Sequence, residues 1–111
     1  MVTIPTPDLA SLMSFIGERY TFTEEHYPGF SQLTPKQQKL FAVRHSQLHM
    51  SKSTGAIATE AEAADHGGEM NSENLKVATT KMLINTLKLA EELGMTPEDI
   101  AASVPRVMKS A

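Results

Sequence analysis

Between His45 and Gly68 the chain gathers His45, His49, Lys52, Glu60, Glu62, Asp65 and His66, and with them three of its four histidines. An ordinary surface helix has no need of this mixture, so an active centre, or the remains of one, is expected here. His45 and His49 are four residues apart, so on a helix they share a face and can reach one metal ion. The competing reading is that they hydrogen-bond to neighbouring helices or sit at a subunit interface. A helical His pair alone is a weak metal signal. Lys52 lies one turn beyond His49 on the same face, and these two are the catalytic candidates.

Glu62, Asp65 and His66 lie roughly three to four turns further along, too far to join the same ion on an unbroken helix. They form a candidate metal set of their own, or complete a site on a neighbouring chain. Glu60, Glu62 and Asp65 together can hold a hard cation such as Mg²⁺. Acids at the end of a helix oppose its dipole, which predicts a compensating partner. Lys or Arg on another helix would serve as well as a metal.

A second polar group follows at Lys81, Asn85 and Lys88, along one face of a later helix. Lys81 and Lys52 together can grip phosphate or acidic side chains. Lys88 is read as a solvated residue pairing with Glu92 at four-residue spacing. The chain carries no phosphate loop, no dinucleotide-binding glycine pattern, no GxSxG and no HExxH.

These residues need a scaffold, and composition says which kind. A chain of 111 residues fits one domain, spanning residues 1–111. It is 41% hydrophobic, has no Trp and has only 5% aromatics, so its core is aliphatic and Met-rich. Abundant Leu, Ala, Met, Lys and Glu favour helix over strand. Many helical domains this small complete their core with a second copy, and a homodimer or tetramer is expected.

The net charge is −3, with Lys and Arg scattered rather than massed, so no general nucleic-acid footprint is present. The absence of Cys excludes disulfides, thiolate zinc sites and a Cys nucleophile. No signal peptide and no membrane span are read from the sequence, which leads to the expectation of a cytoplasmic protein.

Three Thr-Pro pairs mark helix starts, at Thr6, Thr34 and Thr96. The first helix is expected from Pro7 to Tyr20 behind a loose arm over residues 1–6. A loop from Thr21 to Leu33 contains the turn Tyr27-Pro28-Gly29-Phe30, with Phe22, Tyr27 and Phe30 pinning it to the bundle. Val43, Met50, Ile57 and Ala64 recur every seven residues and predict one long helix from Pro35 to Asp65. Its weak point is Ser51 to Gly55, where a kink or a close backbone approach is expected. The third helix begins at Asn71 or Ser72 and buries Leu75, Thr79, Met82, Thr86, Leu89 or Ala90, and Leu93. The fourth starts at Thr96-Pro97 and either stops near Ser103 or restarts at Pro105.

The segments TGAIATEAE and KMLINTLKLAEELGMTPEDI resemble the MazG-like, all-α nucleoside triphosphate pyrophosphohydrolases. That family carries an E-x-x-G-E-L-A-like stretch on one helix and E-x-x-D-x-L-I on the next, followed by a Leu/Ala run, Leu-Gly and a short final helix. Lys52 to Ala58 falls on the first pattern, Ala78 to Asn85 on the second, and Leu89 to Gly94 on the run after it. The resemblance implies an all-α, four-helix bundle of that type, with one long central helix, completed by dimerisation. It implies a cleft sized for a nucleotide, with Lys52, Lys81, Asn85 and His45 as substrate-binding candidates.

The departures from the family matter as much. Where the family has acidic Mg²⁺ ligands, this chain has Lys52, Ala56, Ala78 and Lys81. A Lys in place of a carboxylate repels a cation, so the usual Mg²⁺ or Mn²⁺ chemistry is not expected at those positions. Three expectations follow. The chain is a degenerate member whose lysines bind phosphates directly, a divergent hydrolase using His49 and Lys52, or a non-enzymatic oligomerisation or protein-interaction module.

Overall fold

Helix α2 (Pro35–Asp65) is the spine of the molecule. At 1.5 Å per residue its 31 residues span about 46 Å, nearly the 50 Å length of the whole protein. The computed structural model describes residue 4 and residues 6–110. Most of the arm expected over residues 1–6 therefore lies outside the described residues. Helix α3 (Ser72–Glu92) packs along α2, α1 (Leu9–Arg19) packs on α3, and α4 (Pro97–Ser110) packs on α1, with a short 3₁₀ turn at Phe30–Gln32. The architecture is all-α. No helix among the described residues is long and apolar enough to cross a membrane.

Local sequence sets the ends of α2. Thr34 Oγ1 accepts the Gln37 N–H at 3.2 Å and Gln37 Oε1 accepts the Thr34 N–H at 2.9 Å, a reciprocal capping box with Pro35 at the first helical position. After His66, Gly67 takes φ +88°, and the Gly68 N–H reaches back to the Ala63 carbonyl at 2.9 Å. The helix runs unbroken through Ser51 to Gly55. The close approach expected at Gly55 is absent, since a Cβ there would meet nothing within 4 Å.

Two other boundaries differ from expectation. Asp8, not Thr6, caps α1, its Oδ1 accepting the Ser11 N–H at 2.8 Å. A carboxylate beside the N-terminal dipole is the stronger cap. Helix α4 passes through Pro105 to Ser110 rather than stopping or restarting. Its start is well fixed by Thr96 and Asp99, which bond each other's backbone N–H at 3.0 and 2.9 Å. Loss of the one N–H that Pro105 lacks does not end a helix so anchored.

Helices α2 and α3 form an antiparallel pair that dominates the packing. Glu60 meets Asn74, Thr54 meets Met82 and Met50 meets Thr86, so positions rise along one helix as they fall along the other. The buried seam is not the heptad of Val43, Met50, Ile57 and Ala64. It lies on Ala42, Ser46 and Ser53 of α2, while on α3 Ala78 and Asn85 are buried on one face and Leu87 on the opposite one. Small side chains let the two backbones close up, and the larger residues are pushed to the flanks. On α3 the expected Thr79, Thr86 and Leu93 are exposed, while Asn85 and Lys88 point inward.

The loop between α1 and α2 is tied down as expected. Phe22 stacks edge-on against Tyr20, Tyr27 and Phe41 with centroids 5.5 Å apart, and Phe30 lies 5.3 Å from Phe41. The turn itself is held by Glu24, whose carboxylate accepts the N–H groups of Gly29 and Ser31 and the Ser31 hydroxyl. Gly29 sits at φ +92°, where a side chain would be strained.

Those bonds, the Ser31 hydroxyl first, hold the Glu24 carboxyl below the usual carboxylate range. A depressed acid stabilises the fold above its unfolded value, near pH 4.3, and the contribution is lost as pH falls through the lower folded value. Glu24→Gln should therefore be less stable than the wild type at neutral pH. The gap should close as urea midpoints are followed down to about pH 3. A gap that stays constant over that range would show that Glu24 holds the turn without its charge.

Candidate functional site

An open groove of about 1400 Å³ runs between α1, α2 and α3. It is lined along α2 by His49, Lys52, Ser53, Ala56 and Glu60, and along α3 by Ala78, Lys81, Ile84 and Asn85. Helix α1 and the following loop add Leu12, Phe15, Arg19 and His26. The antiparallel register explains the convergence. Lys52 and Ala56 line the same groove as Ala78 and Lys81, although more than twenty residues of chain separate Ala56 from Ala78. The four positions where the resembled family has acids thus share one groove.

The charge of this groove opposes that of the chain. Arg19, Lys52 and Lys81 are cationic, and Glu60 is the one acid among the described lining residues. Glu60 is already engaged, accepting the Asn71 N–H at 2.7 Å and the Asn74 side-chain amide at 3.1 Å. These bonds, Asn71's first, hold its carboxyl below the ordinary range. The partner that the acid near the end of α2 requires is therefore the N-terminus of α3, neither a metal nor a cation. Arg19 lies 3.8 Å over the Phe15 ring and 3.6 Å from Glu18. Lys52 and Lys81 form no ion pair within the described residues and stand exposed.

Asn85 is fixed rather than free. It is 6% exposed, its Oδ1 accepts the Tyr20 hydroxyl at 2.9 Å, and its Nδ2 donates to the Lys81 carbonyl at 2.8 Å. That leaves one N–H and one lone pair for the groove. Burial, then the neighbouring Tyr27, raises the Tyr20 phenol above its ordinary range, so it remains a donor.

His45 is set behind the groove. Its ring stacks on Phe41 at 5.5 Å and meets the rings of Tyr27 and Phe22 edge-on at 4.9 and 5.4 Å. Its Nε2 lies 3.0 Å from the Tyr27 hydroxyl and 3.0 Å from His49 Nε2. Burial, then His49 and Lys52, keeps the His45 imidazole below the usual range, so it is held neutral. His49 and Tyr27 thus stand at the groove wall with His45 behind them.

Glu62, Asp65 and His66 lie at the exposed far end of α2, away from this groove. Only Glu62 and His66 approach each other there, at 3.8 Å. No three His, Asp or Glu side chains among the described residues come together as metal ligands.

The sequence reading missed two lining residues of the groove and misplaced a third residue, Lys88, which is buried outside it. Arg19 and His26 come from α1 and the loop, and no motif marks them. Lys88 does pair with Glu92, at 3.2 Å, but it is not solvated: it is 3% exposed, under the rings of Tyr20 and Phe22. Four-residue spacing gives the pair but not which side of the helix is covered.

No family model, curated protein or solved structure matches the chain. Nothing in these comparisons connects it to the pyrophosphohydrolases it resembles.

Proposed function

We propose that the groove binds nucleotides or nucleotide phosphates directly through Lys52 and Lys81, without Mg²⁺. The observation that carries this reading is that two ammonium groups without an ion pair among the described residues line one groove with Ala56 and Ala78, where the one acid among the described lining residues is otherwise engaged. Ammonium groups so placed take over the charge neutralisation that metal ions perform in the MazG-like enzymes. Arg19 adds to the field and Asn85 offers one remaining N–H. The chain is then a degenerate relative of those enzymes, a nucleotide-binding member of a hydrolase-like fold.

Calorimetry with a panel of nucleoside triphosphates, with EDTA present throughout, tests the reading. Lys52→Ala and Lys81→Ala should each weaken binding roughly tenfold, as expected for one charge-assisted hydrogen bond, and the double variant should abolish it. Wild-type affinity should fall as salt is raised. Binding that requires added Mg²⁺ would overturn the direct grip.

A second reading, hydrolysis through His49 and Lys52, is favoured by the Tyr27–His45–His49 chain at the groove wall. Diphosphate release lost in His49→Asn is its signature. The assembly-module reading rests on a different observation. Leu40 and Leu48 on α2, and Val104, Val107 and Met108 on α4, are each close to half exposed or more, apolar side chains that a second copy would cover in a homodimer or tetramer. Absence of any nucleotide effect, with a concentration-dependent mass in solution, would leave that reading alone.

A further inference from the structure

Three heteroatoms with lone pairs meet behind His49. His45 Nε2 is 3.0 Å from His49 Nε2 and 3.0 Å from Tyr27 Oη. A ring nitrogen has a single in-plane direction, as donor or as acceptor, so His45 Nε2 cannot satisfy both neighbours with good geometry. A cation placed among the three atoms would use every lone pair at once. We propose that Tyr27, His45 and His49 form a binding site for a divalent late first-row transition ion at the edge of the groove.

The spacing fits that class. Two nitrogen ligands about 2.1 Å from one ion stand about 3.0 Å apart when the angle at the metal is near 90°, and about 3.4 Å apart at the tetrahedral angle. Both spans are within reach of small side-chain shifts, and the general affinity order of divalent first-row ions places Cu²⁺ above Ni²⁺ and Zn²⁺ at such a site. Imidazole is a preferred donor for these ions. Both histidines bind as neutral rings, with the proton on Nδ1. Tyr27 binds as phenolate and releases its proton to solvent.

Rigidity comes from the helix and the aromatic cluster. The four-residue spacing on unbroken α2 fixes one ring relative to the other, and Phe41, Phe22 and Tyr27 clamp His45. The ligand set keeps the His45–His49 pair that four-residue spacing offers and adds a donor that spacing does not show. It has only two histidines and no carboxylate, and its third donor comes from the loop, eighteen residues before His45. Lys52 nearby lowers the affinity for a cation, which places the expected dissociation constant in the micromolar range. Open positions on the ion face the groove through His49.

The site does not depend on the phosphate reading, and its test contains neither phosphate nor nucleotide. The untagged full chain is titrated with Cu²⁺, Ni²⁺ and Zn²⁺ in a non-coordinating buffer, followed by calorimetry and visible absorption. The expected result is one equivalent bound, Cu²⁺ tighter than Ni²⁺ or Zn²⁺, with a phenolate-to-copper charge-transfer band. His49→Asn should weaken binding at least about tenfold. Tyr27→Phe should remove the band and weaken binding by a smaller factor. His66→Ala should change neither.

Should His49→Asn fail to fold, metal-induced shifts of the His49 imidazole resonances in the wild type read the same ligand. No stoichiometric binding by the wild type would overturn the site. So would full affinity in His49→Asn, a band that survives Tyr27→Phe, or loss of binding in His66→Ala.

Discussion

Glu91→Gln combined with Glu92→Gln should cost the fold about 3 kcal/mol, seen as a fall in Tm of roughly 12 °C. The reason is Lys88, whose side chain is 4% exposed. Its ammonium is neutralised by Glu92 at 3.2 Å and Glu91 at 3.5 Å, and it lies 5.2 Å from the Phe22 ring centroid and 5.7 Å from that of Tyr20. The rings contribute a cation–π attraction of about 1 kcal/mol, well short of what a buried charge loses in leaving water. Without the carboxylates the charge is stranded under α1 and the loop.

The Glu91 carboxylate lies against Gly17, where a Cβ would come within 2.6 Å of it. Lys88→Met in the Glu91→Gln/Glu92→Gln background should recover most of the loss, because the apolar stem still fills the space and no charge remains. If the triple variant is as unstable as the double, the loss comes from the glutamates' own packing and the stranded charge is not its cause. Denaturant unfolding of the wild type, the double and the triple variant decides between them.

Ser46 gives the second large effect, with opposite signs for two substitutions. It is fully buried in the α2–α3 seam and its Oγ has no hydrogen-bond partner. An unpaired buried hydroxyl costs about 1–3 kcal/mol, and Ala is the better helix former. Ser46→Ala should therefore stabilise the protein by about 1 kcal/mol, roughly 4 °C in Tm. Ser46→Leu should destabilise it by about 3 kcal/mol, because the close approach of the two helices leaves no room for the added carbons. A neutral Ser46→Leu in thermal unfolding would mean that the seam is loose. A destabilising Ser46→Ala would mean that the hydroxyl is satisfied in solution.

Much of the scaffold was legible from short-range chemistry. Helix propensity, capping residues and glycines act over a few positions, so α2 from Pro35 to Asp65, the Asn71 cap of α3 and the Gly94 stop are readable in order along the chain. Asp8 against Thr6 and the passage through Pro105 were the boundary errors. Each was a choice between two local signals a few residues apart.

Helical spacing determined that His45 shares a face with His49 and that Lys88 can reach Glu92. It also offered Lys52 and Lys81 as partners. Tertiary structure decided the rest. Periodicity marks a stripe of large apolar residues as the inner face, but the buried positions of α2 are the small residues Ala42, Ser46 and Ser53, turned part of the way round the helix from the heptad. That rotation carries Asn85 and Lys88 inward and opens Lys52 and Lys81 onto a common groove. The antiparallel register, not the spacing along the chain, brings Ala56 beside Ala78. It also sets Glu60 against the start of α3 rather than against a cation. The Tyr27 hydroxyl at His45 comes from a loop with no periodicity, and only the folded aromatic cluster puts it there.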